Sequence, residues 1–191
     1  VVDAETYADQ AAGLAAGNWL GRGEGPFWQP PLYPYFLGVV KTFFPDAFWY
    51  VSRLIQSVLG ALSCALVYWL GRRFFLPGVG LAAGLAAACY GPLIYHAGAL
   101  LTATLATFFN LLGLALLVRG GGRWYWLGAG AVLGLAGLAV APSLVFAVSA
   151  AGWLVVKGWK EERNRALWRT GLLVLGVVLV LAPGSLRTYL I

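Results

Sequence analysis

Long apolar stretches constrain the fold of this chain more than any other feature of its sequence. From Phe48 onward they cover residues 48–71, 78–95, 97–118, 124–140, 142–157 and 169–190. Each is close to the roughly 20 residues that an α-helix needs to cross a bilayer. With 61% hydrophobic and 10% charged residues, a chain of 191 residues carries more apolar surface than a soluble core can hide. The sequence predicts an all-α integral membrane protein with about six transmembrane helices.

Basic residues mark alternate loops between these stretches. Nine of the thirteen lysines and arginines lie there: Arg72, Arg73, Arg119, Arg123, Lys157, Lys160, Arg163, Arg165 and Arg169. By the positive-inside rule these loops face the cytoplasm, so residues 1–47 lie on the outer side. That outer segment holds five of the seven acidic residues. Membrane orientation therefore explains the net charge of +6 without a nucleic-acid partner.

The first 47 residues predict a separate outer loop. Residues 4–18 have helical periodicity but are too short and too polar to span a bilayer, so we expect an interfacial helix there. A turn rich in glycine and proline follows, and residues 32–44 form a second short apolar run. We divide the chain into an outer loop, 1–47, with two interfacial helices, and a transmembrane bundle, 48–191.

Small residues at helical spacing predict close helix packing within the bundle. They occur in Gly80-x3-Gly84, Gly130-x3-Gly134 and Gly134-x2-Gly137. Such spacings let helix backbones approach closely in lipid. Asn110 lies inside an apolar run, where we interpret its amide as a hydrogen-bonding group between helices.

Asp3 permits two interpretations. It stands directly before a helical pattern, where an acid caps free amide groups and suits the helix dipole. An acid at the mouth of a membrane bundle can also act as a general base on an acceptor hydroxyl. Tyr7 and Ala11 follow at spacings of four and eight, so they share a helix face with Asp3. Spacing alone leaves both interpretations open.

Lys41, Arg53 and Arg187 fall outside the basic loops. An arginine at a helix centre costs roughly 2.5–3.5 kcal/mol on insertion scales, so we expect these residues near the outer interface. They either extend to lipid headgroups or hold the phosphate of a lipid-linked substrate, since a guanidinium matches phosphate oxygens. Arg187, with Tyr189 beside it, is the favoured phosphate contact. No spacing of cysteine and histidine indicates a metal site.

The order of several motifs resembles a known family. In the first loop these are the acid with Tyr7 and Ala11, Gly17-Asn18-Trp19-Leu20, and Gln29-Pro30-Pro31-Leu32-Tyr33-Pro34-Tyr35. In the bundle they are Arg53-Leu54-Ile55-Gln56, Arg72-Arg73-Phe74-Phe75, Tyr90-Gly91-Pro92 and Ala182-Pro183-Gly184-Ser185-Leu186-Arg187-Thr188-Tyr189. Together they are similar to bacterial protein-mannosyltransferase-like enzymes of the C-type, polyprenyl-phosphate-sugar-dependent glycosyltransferase superfamily. The resemblance covers nearly the whole chain, which would correspond to the N-terminal part of such an enzyme.

This resemblance implies a multi-pass enzyme of the bacterial inner membrane. Such an enzyme moves a sugar from a polyprenyl-phosphate carrier to a hydroxyl acceptor on the periplasmic side. It implies that Asp3 is the catalytic base and that Arg187 contacts the carrier phosphate. The expected substrate-binding residues are Tyr7, Tyr33, Arg53, Arg187 and Tyr189. We expect no cofactor, leave a divalent metal open, and expect the lipid-linked sugar, membrane lipids and other membrane subunits as partners.

The chain also departs from the family pattern. Many relatives have Glu where this chain has Ala103, and Arg-Pro-Asn where it has Ala141-Pro142-Ser143. The final motif reads Arg187-Thr188-Tyr189 instead of Arg-Asn-Tyr. These departures favour the alternative, a non-catalytic or degenerate transmembrane subunit packed in a larger membrane complex. A transporter is disfavoured because the apolar stretches lack paired charges.

Overall fold

The computed structural model describes residues 2–19, 29–159 and 163–190, and the side chains of residues 5–19, 29–156 and 163–185. This part of the chain is helical and contains no β-strand, which confirms the all-α prediction. The helices are α1 (Val2–Ala15), α2 (Leu32–Phe43), α3 (Phe48–Phe74), α4 (Pro77–Ala88), α5 (Gly91–Gly98), α6 (Ala103–Arg119), α7 (Arg123–Ala139), α8 (Leu144–Trp159) and α9 (Arg163–Leu190), with a 3₁₀ turn at Ala141–Ser143 before α8.

Helix length decides how many of these elements can cross a membrane. Among the described residues, α3 and the Arg163–Ser185 part of α9 are each long and apolar enough to do so. Helices α4 and α5 qualify only together, as a pair bent by 49°. The structure thus shows two or three candidate spans, and the expected count of about six is not confirmed. Other apolar helices, such as α6 with 17 residues, are shorter than the roughly 20 residues that a spanning helix typically has.

The bend between α4 and α5 divides the apolar stretch 78–95 just before Pro92. Pro92 has no N–H to donate to the carbonyl of Ala88, so one helix ends at Ala88 and the next begins at Gly91. Helices α1 and α2 coincide with the two short helices predicted in the first loop. Their location at a membrane interface stays a prediction.

Glycine contacts hold the bundle together, as the small-residue spacings predicted. Helix α7 packs between α6 and α9, and its most extensive contact is with α9. A Cβ atom at Gly130 would collide with the carbonyl oxygen of Leu173, and one at Gly176 with that of Leu127. A Cβ at Gly80 of α4 would lie 2.5 Å from the backbone nitrogen of Arg72 in α3. These helices therefore meet backbone to backbone.

The two ends of the bundle differ in character. At one end, α1 and α2 pack over the start of α3, the start of α6 and the end of α7, and form one hydrophobic core. At the other end lie the last turn of α3 and the first turns of α7 and α9, with their arginines. The 27 residues of α3 separate these ends by about 40 Å. We call them the loop end and the basic end.

Candidate functional site

Tyr7 and Tyr33 form the central contact of the loop end. Their rings meet edge to face, with centroids 4.9 Å apart and an interplanar angle of 77°. Tyr33 is 0% exposed and Tyr7 is 6% exposed. Ala11, one turn after Tyr7, is also fully buried, so this face of α1 points inward. A Cβ at Gly38 would lie 2.9 Å from the Cβ of Leu14, so the glycine lets α2 approach α1.

The Tyr33 hydroxyl is buried. Burial raises the pKa of the phenol; the side chain of Gln56 partly offsets this effect, and Tyr7 adds a smaller increase. No hydrogen bond of standard geometry joins the Tyr33 hydroxyl to Gln56 or to another described group. The phenol therefore stays neutral over the physiological range, which makes it a hydrogen-bond donor.

A polar face of α3 lies beneath this tyrosine pair. Ser52 and Gln56 are four residues apart on α3, so they share one helix face, and both are fully buried. The Nε2 group of Gln56 donates a hydrogen bond of 3.0 Å to the carbonyl oxygen of Leu101. This bond connects α3 to the segment that leads into α6.

Several buried side-chain oxygens of α2, α3 and α6 at the loop end have no hydrogen-bond partner among the described residues. They are Tyr33 Oη, Ser52 Oγ, Gln56 Oε1 and Thr104 Oγ1. Buried polar groups are nearly always paired, and unpaired ones mark places where water or a ligand completes the hydrogen bonding. No role was predicted from the sequence for Ser52, Gln56 or Thr104. Polar residues spaced by four within the apolar run 48–71 were the signal that could have identified the first two.

The remaining predicted site residues are described only in part. Asp3 lies in α1, one turn before Tyr7, and Arg187 and Tyr189 lie near the end of α9, but these three side chains fall outside the described residues. Arg53 is exposed, whereas Ser52 beside it points into the interior. The structure thus brings Tyr7 and Tyr33 together and leaves Arg53 at the surface.

The end of α9 nevertheless reaches the loop end. A Cβ built at Gly184 would lie 4.0 Å from Cγ of Pro31 and 3.7 Å from Cδ2 of Leu138. Pro31 precedes α2, two residues before Tyr33, and Arg187 follows Gly184 by three residues in the same helix. The helix turn that carries Arg187 therefore lies at the same end as α1 and α2.

The positions that depart from the family pattern lie at the start of α6 and in the 3₁₀ turn after α7. Ala103 begins α6, directly before the buried Thr104. Asn110 of α6 donates a hydrogen bond of 3.0 Å from Nδ2 to Oγ of Ser143, in the 3₁₀ turn, which confirms its predicted bond between helices. Within the described residues, no three His, Cys, Asp or Glu side chains are grouped as metal ligands would be.

The described residues are helical, with two or three candidate spans and a helical layer packed over one end, and this architecture is that of a membrane protein. A comparison with protein families finds the dolichyl-phosphate-mannose-protein mannosyltransferase family over residues 28–185, and the chain belongs to that family. Membership indicates a membrane glycosyltransferase and confirms the resemblance. No curated protein and no solved structure matched the chain.

The matched range includes only part of the predicted site. It contains Tyr33 and Arg53, whereas Asp3, Tyr7 and the Arg187–Tyr189 end of α9 lie outside it. The buried polar residues Ser52, Gln56 and Thr104 fall inside the match.

Proposed function

We propose that this protein transfers a sugar from a polyprenyl-phosphate carrier to an acceptor hydroxyl on the periplasmic side of a bacterial inner membrane. The proximity of Gly184 to Pro31 carries the proposal. It brings the helix that bears Arg187 against the segment that begins α2, and α2 in turn packs on the helix that bears Asp3. In this proposal the Asp3 carboxylate and the Arg187 guanidinium act in the same cleft.

In this reaction the Asp3 carboxylate takes the proton of the acceptor hydroxyl as that oxygen attacks the anomeric carbon. The bond between this carbon and the phosphate oxygen breaks, with inversion, and the polyprenyl phosphate leaves with the bonding electrons. Arg187, assisted by Arg53, stabilises the negative charge on the leaving phosphate. Positive groups that are already in position supply this stabilisation without further rearrangement.

Tyr7, Tyr33 and Tyr189 line the cleft in this proposal. Because the Tyr33 phenol stays neutral, it acts as a hydrogen-bond donor to a sugar or phosphate oxygen and not as the base. The side-chain oxygens of Ser52 and Gln56, which have no partner among the described residues, support binding of a polar ligand next to α3. The family name, which specifies a lipid-phosphate-linked mannose, supports a carrier of this class as the donor.

The proposal is tested by reconstituting the full chain into vesicles with a labelled polyprenyl-phosphate mannose and measuring loss of the donor. Asp3→Asn should abolish transfer while the helical circular dichroism is unchanged. Asp9→Asn is the matched control, because Asp9 is an exposed acid of the same helix, and this variant should retain activity. Sustained turnover by Asp3→Asn would rule out the base assignment.

A second candidate is a non-catalytic subunit of a larger membrane complex. The bond between Asn110 and Ser143 favours it, because in the 3₁₀ turn that departs from the family pattern the Ser143 hydroxyl accepts an internal hydrogen bond. Stoichiometric co-purification of other membrane proteins, with no donor loss for the wild-type chain, would support this candidate over the transferase.

A further inference from the structure

A cavity of about 1250 Å³ lies at the basic end of the bundle. Its lining comes from α3, α6, α7, α8 and α9, and includes none of the residues of the proposed transfer site. Helix α7 packs against both α6 and α9, and α8 packs against α9. The cavity forms between α6 and α8, which both contact α7 but are separated by it.

The walls of this cavity are apolar stripes along two helices. They consist of Leu114, Leu117 and Val118 on α6 and of Phe146, Ala150 and Trp153 on α8. Residues at spacings of three, four and seven lie on one face of a helix, so each set forms a continuous stripe. From Trp153 near the basic end to Phe146, the stripe on α8 extends about 10 Å toward the middle of the bundle.

Arginines line the same cavity at the basic end. Arg73 comes from the last turn of α3, and Arg165 and Arg169 come from the first turns of α9. A neighbouring cavity of about 510 Å³ shares Arg73 and adds Arg72 and Arg119 to this basic rim. In the sequence, the loops predicted to face the cytoplasm hold nine basic residues and two acidic ones, Glu161 and Glu162.

Aromatic contacts hold one of these arginines in place. The guanidinium carbon of Arg169 lies 5.3 Å from the ring centroid of Trp126. Trp126 is 7% exposed, and its Nε1 group donates a hydrogen bond of 3.3 Å to the carbonyl oxygen of Gly121. A buried ring fixed in this way orients the cation above it.

We propose that this cavity binds an anionic phospholipid. The phosphate would lie among Arg73, Arg165 and Arg169, and an acyl chain would lie along the apolar stripes of α6 and α8. Guanidinium groups match phosphate oxygens, and basic pockets between membrane helices bind anionic headgroups. A soluble anion would use the arginines but leave the apolar walls unoccupied, whereas a phospholipid satisfies both. The proposal does not depend on the transfer reaction.

The experiment is a lipid titration of the purified full chain in detergent, followed by native mass spectrometry. Phosphatidylglycerol and phosphatidylcholine with identical acyl chains serve as probes. We expect tighter binding of phosphatidylglycerol, because phosphatidylcholine carries no net charge. Arg169→Gln should weaken phosphatidylglycerol binding roughly fivefold, and the double variant Arg165→Gln, Arg169→Gln roughly 25-fold.

Arg123→Gln is the matched control for charge. It removes one positive charge at the same end, but Arg123 does not line the cavity. Its guanidinium carbon lies 5.3 Å from the ring centroid of Trp124. This variant should bind phosphatidylglycerol as the wild type does. An equal loss in Arg123→Gln and Arg169→Gln would mean general surface attraction and would overturn the proposal, as would equal affinity for the two lipids.

Filling the cavity tests whether an acyl chain lies along its apolar walls, without a change of charge. Ala150→Trp places a large ring in the wall of α8 and should abolish binding of phosphatidylglycerol. Val148→Trp is its control, because Val148 is 71% exposed on the same helix and lies outside the lining. Both variants are compared at equal helical circular dichroism. If Ala150→Trp binds phosphatidylglycerol as well as Val148→Trp does, the acyl chain does not occupy the cavity.

Discussion

Tyr7 of α1 and Tyr33 of α2 meet edge to face with ring centroids 4.9 Å apart, and this contact joins the two helices of the first loop. Both rings belong to the core that also contains Phe48 of α3 and Leu105 of α6. Helices α1 and α2 are therefore packed onto the bundle. Aromatic pairs of this geometry contribute about 0.5–1.5 kcal/mol beyond the burial of their area.

Substitution of Tyr33 separates the role of its ring from that of its hydroxyl. Tyr33→Ala should lower the free energy of unfolding by about 3–5 kcal/mol, because a large buried ring is lost. Tyr33→Phe keeps the ring and removes a hydroxyl that has no hydrogen-bond partner among the described residues, so stability should be unchanged or higher. Thermal unfolding in detergent measures both effects. A loss of stability in Tyr33→Phe as large as that in Tyr33→Ala would contradict this description.

The same pair of variants tests the proposed site. If the Tyr33 hydroxyl contacts the donor, Tyr33→Phe reduces sugar transfer although the fold is intact. Tyr35→Phe is a suitable control, since Tyr35 is a half-buried tyrosine of the same helix whose hydroxyl donates a hydrogen bond of 2.6 Å to the carbonyl oxygen of Trp19. Unchanged transfer in Tyr33→Phe would exclude the hydroxyl from substrate binding.

The raised pKa of Tyr33 predicts a loss of stability in alkali. Below the ordinary tyrosine pKa of about 10, the phenol is neutral in both the folded and the unfolded chain. The ionisation of Tyr33 therefore does not lower the free energy of unfolding in this range. Above it, the unfolded chain ionises first, so the free energy of unfolding falls as the pH rises toward the pKa of the folded state. The pH-dependent part of the stability difference between wild type and Tyr33→Phe isolates this effect, and that part should be near zero at pH 8. A difference that does not change between pH 8 and pH 11 would be inconsistent with burial of the phenol.

Gly130 should not tolerate a side chain, whereas Gly128 on the same helix should accept one. A Cβ at Gly130 would collide with the backbone of Leu173, so Gly130→Ala must separate α7 from α9 and should cost about 1–3 kcal/mol. Nothing lies within 4 Å of the Cβ position at Gly128, so Gly128→Ala should leave stability unchanged or raise it. Thermal unfolding of the two variants makes the comparison. Equal stability would show that the backbones of α7 and α9 are not in contact.

The bond between Asn110 and Ser143 should contribute modestly to stability. Hydrogen bonds between membrane helices contribute about 0.6 kcal/mol on average and up to about 2 kcal/mol. A double-mutant cycle of Asn110→Ala and Ser143→Ala should give a coupling energy in this range. Additive effects of the two substitutions would show that the side chains do not interact.

Part of the proposed site could be predicted from the sequence. The spacing of four and eight from Asp3 placed Tyr7 and Ala11 on one helix face, and both are buried there. Ser52, Gln56 and Thr104 were missed as site residues because a polar residue in an apolar run can face another helix, water or lipid. Only the packing of α2 and α6 against α3 distinguishes these environments.

By itself, the sequence determined where helices form and which loops carry positive charge. These properties depend on local periodicity, on Gly and Pro, and on composition, so α1, α2 and α3 lie where the residues predicted them. Tertiary structure alone decided that Tyr33 meets Tyr7, that Gly184 reaches Pro31, and that Arg73 and Arg169 line one cavity. Such pairs lie far apart along the chain, and their contacts depend on how closely glycine-containing helix faces approach each other.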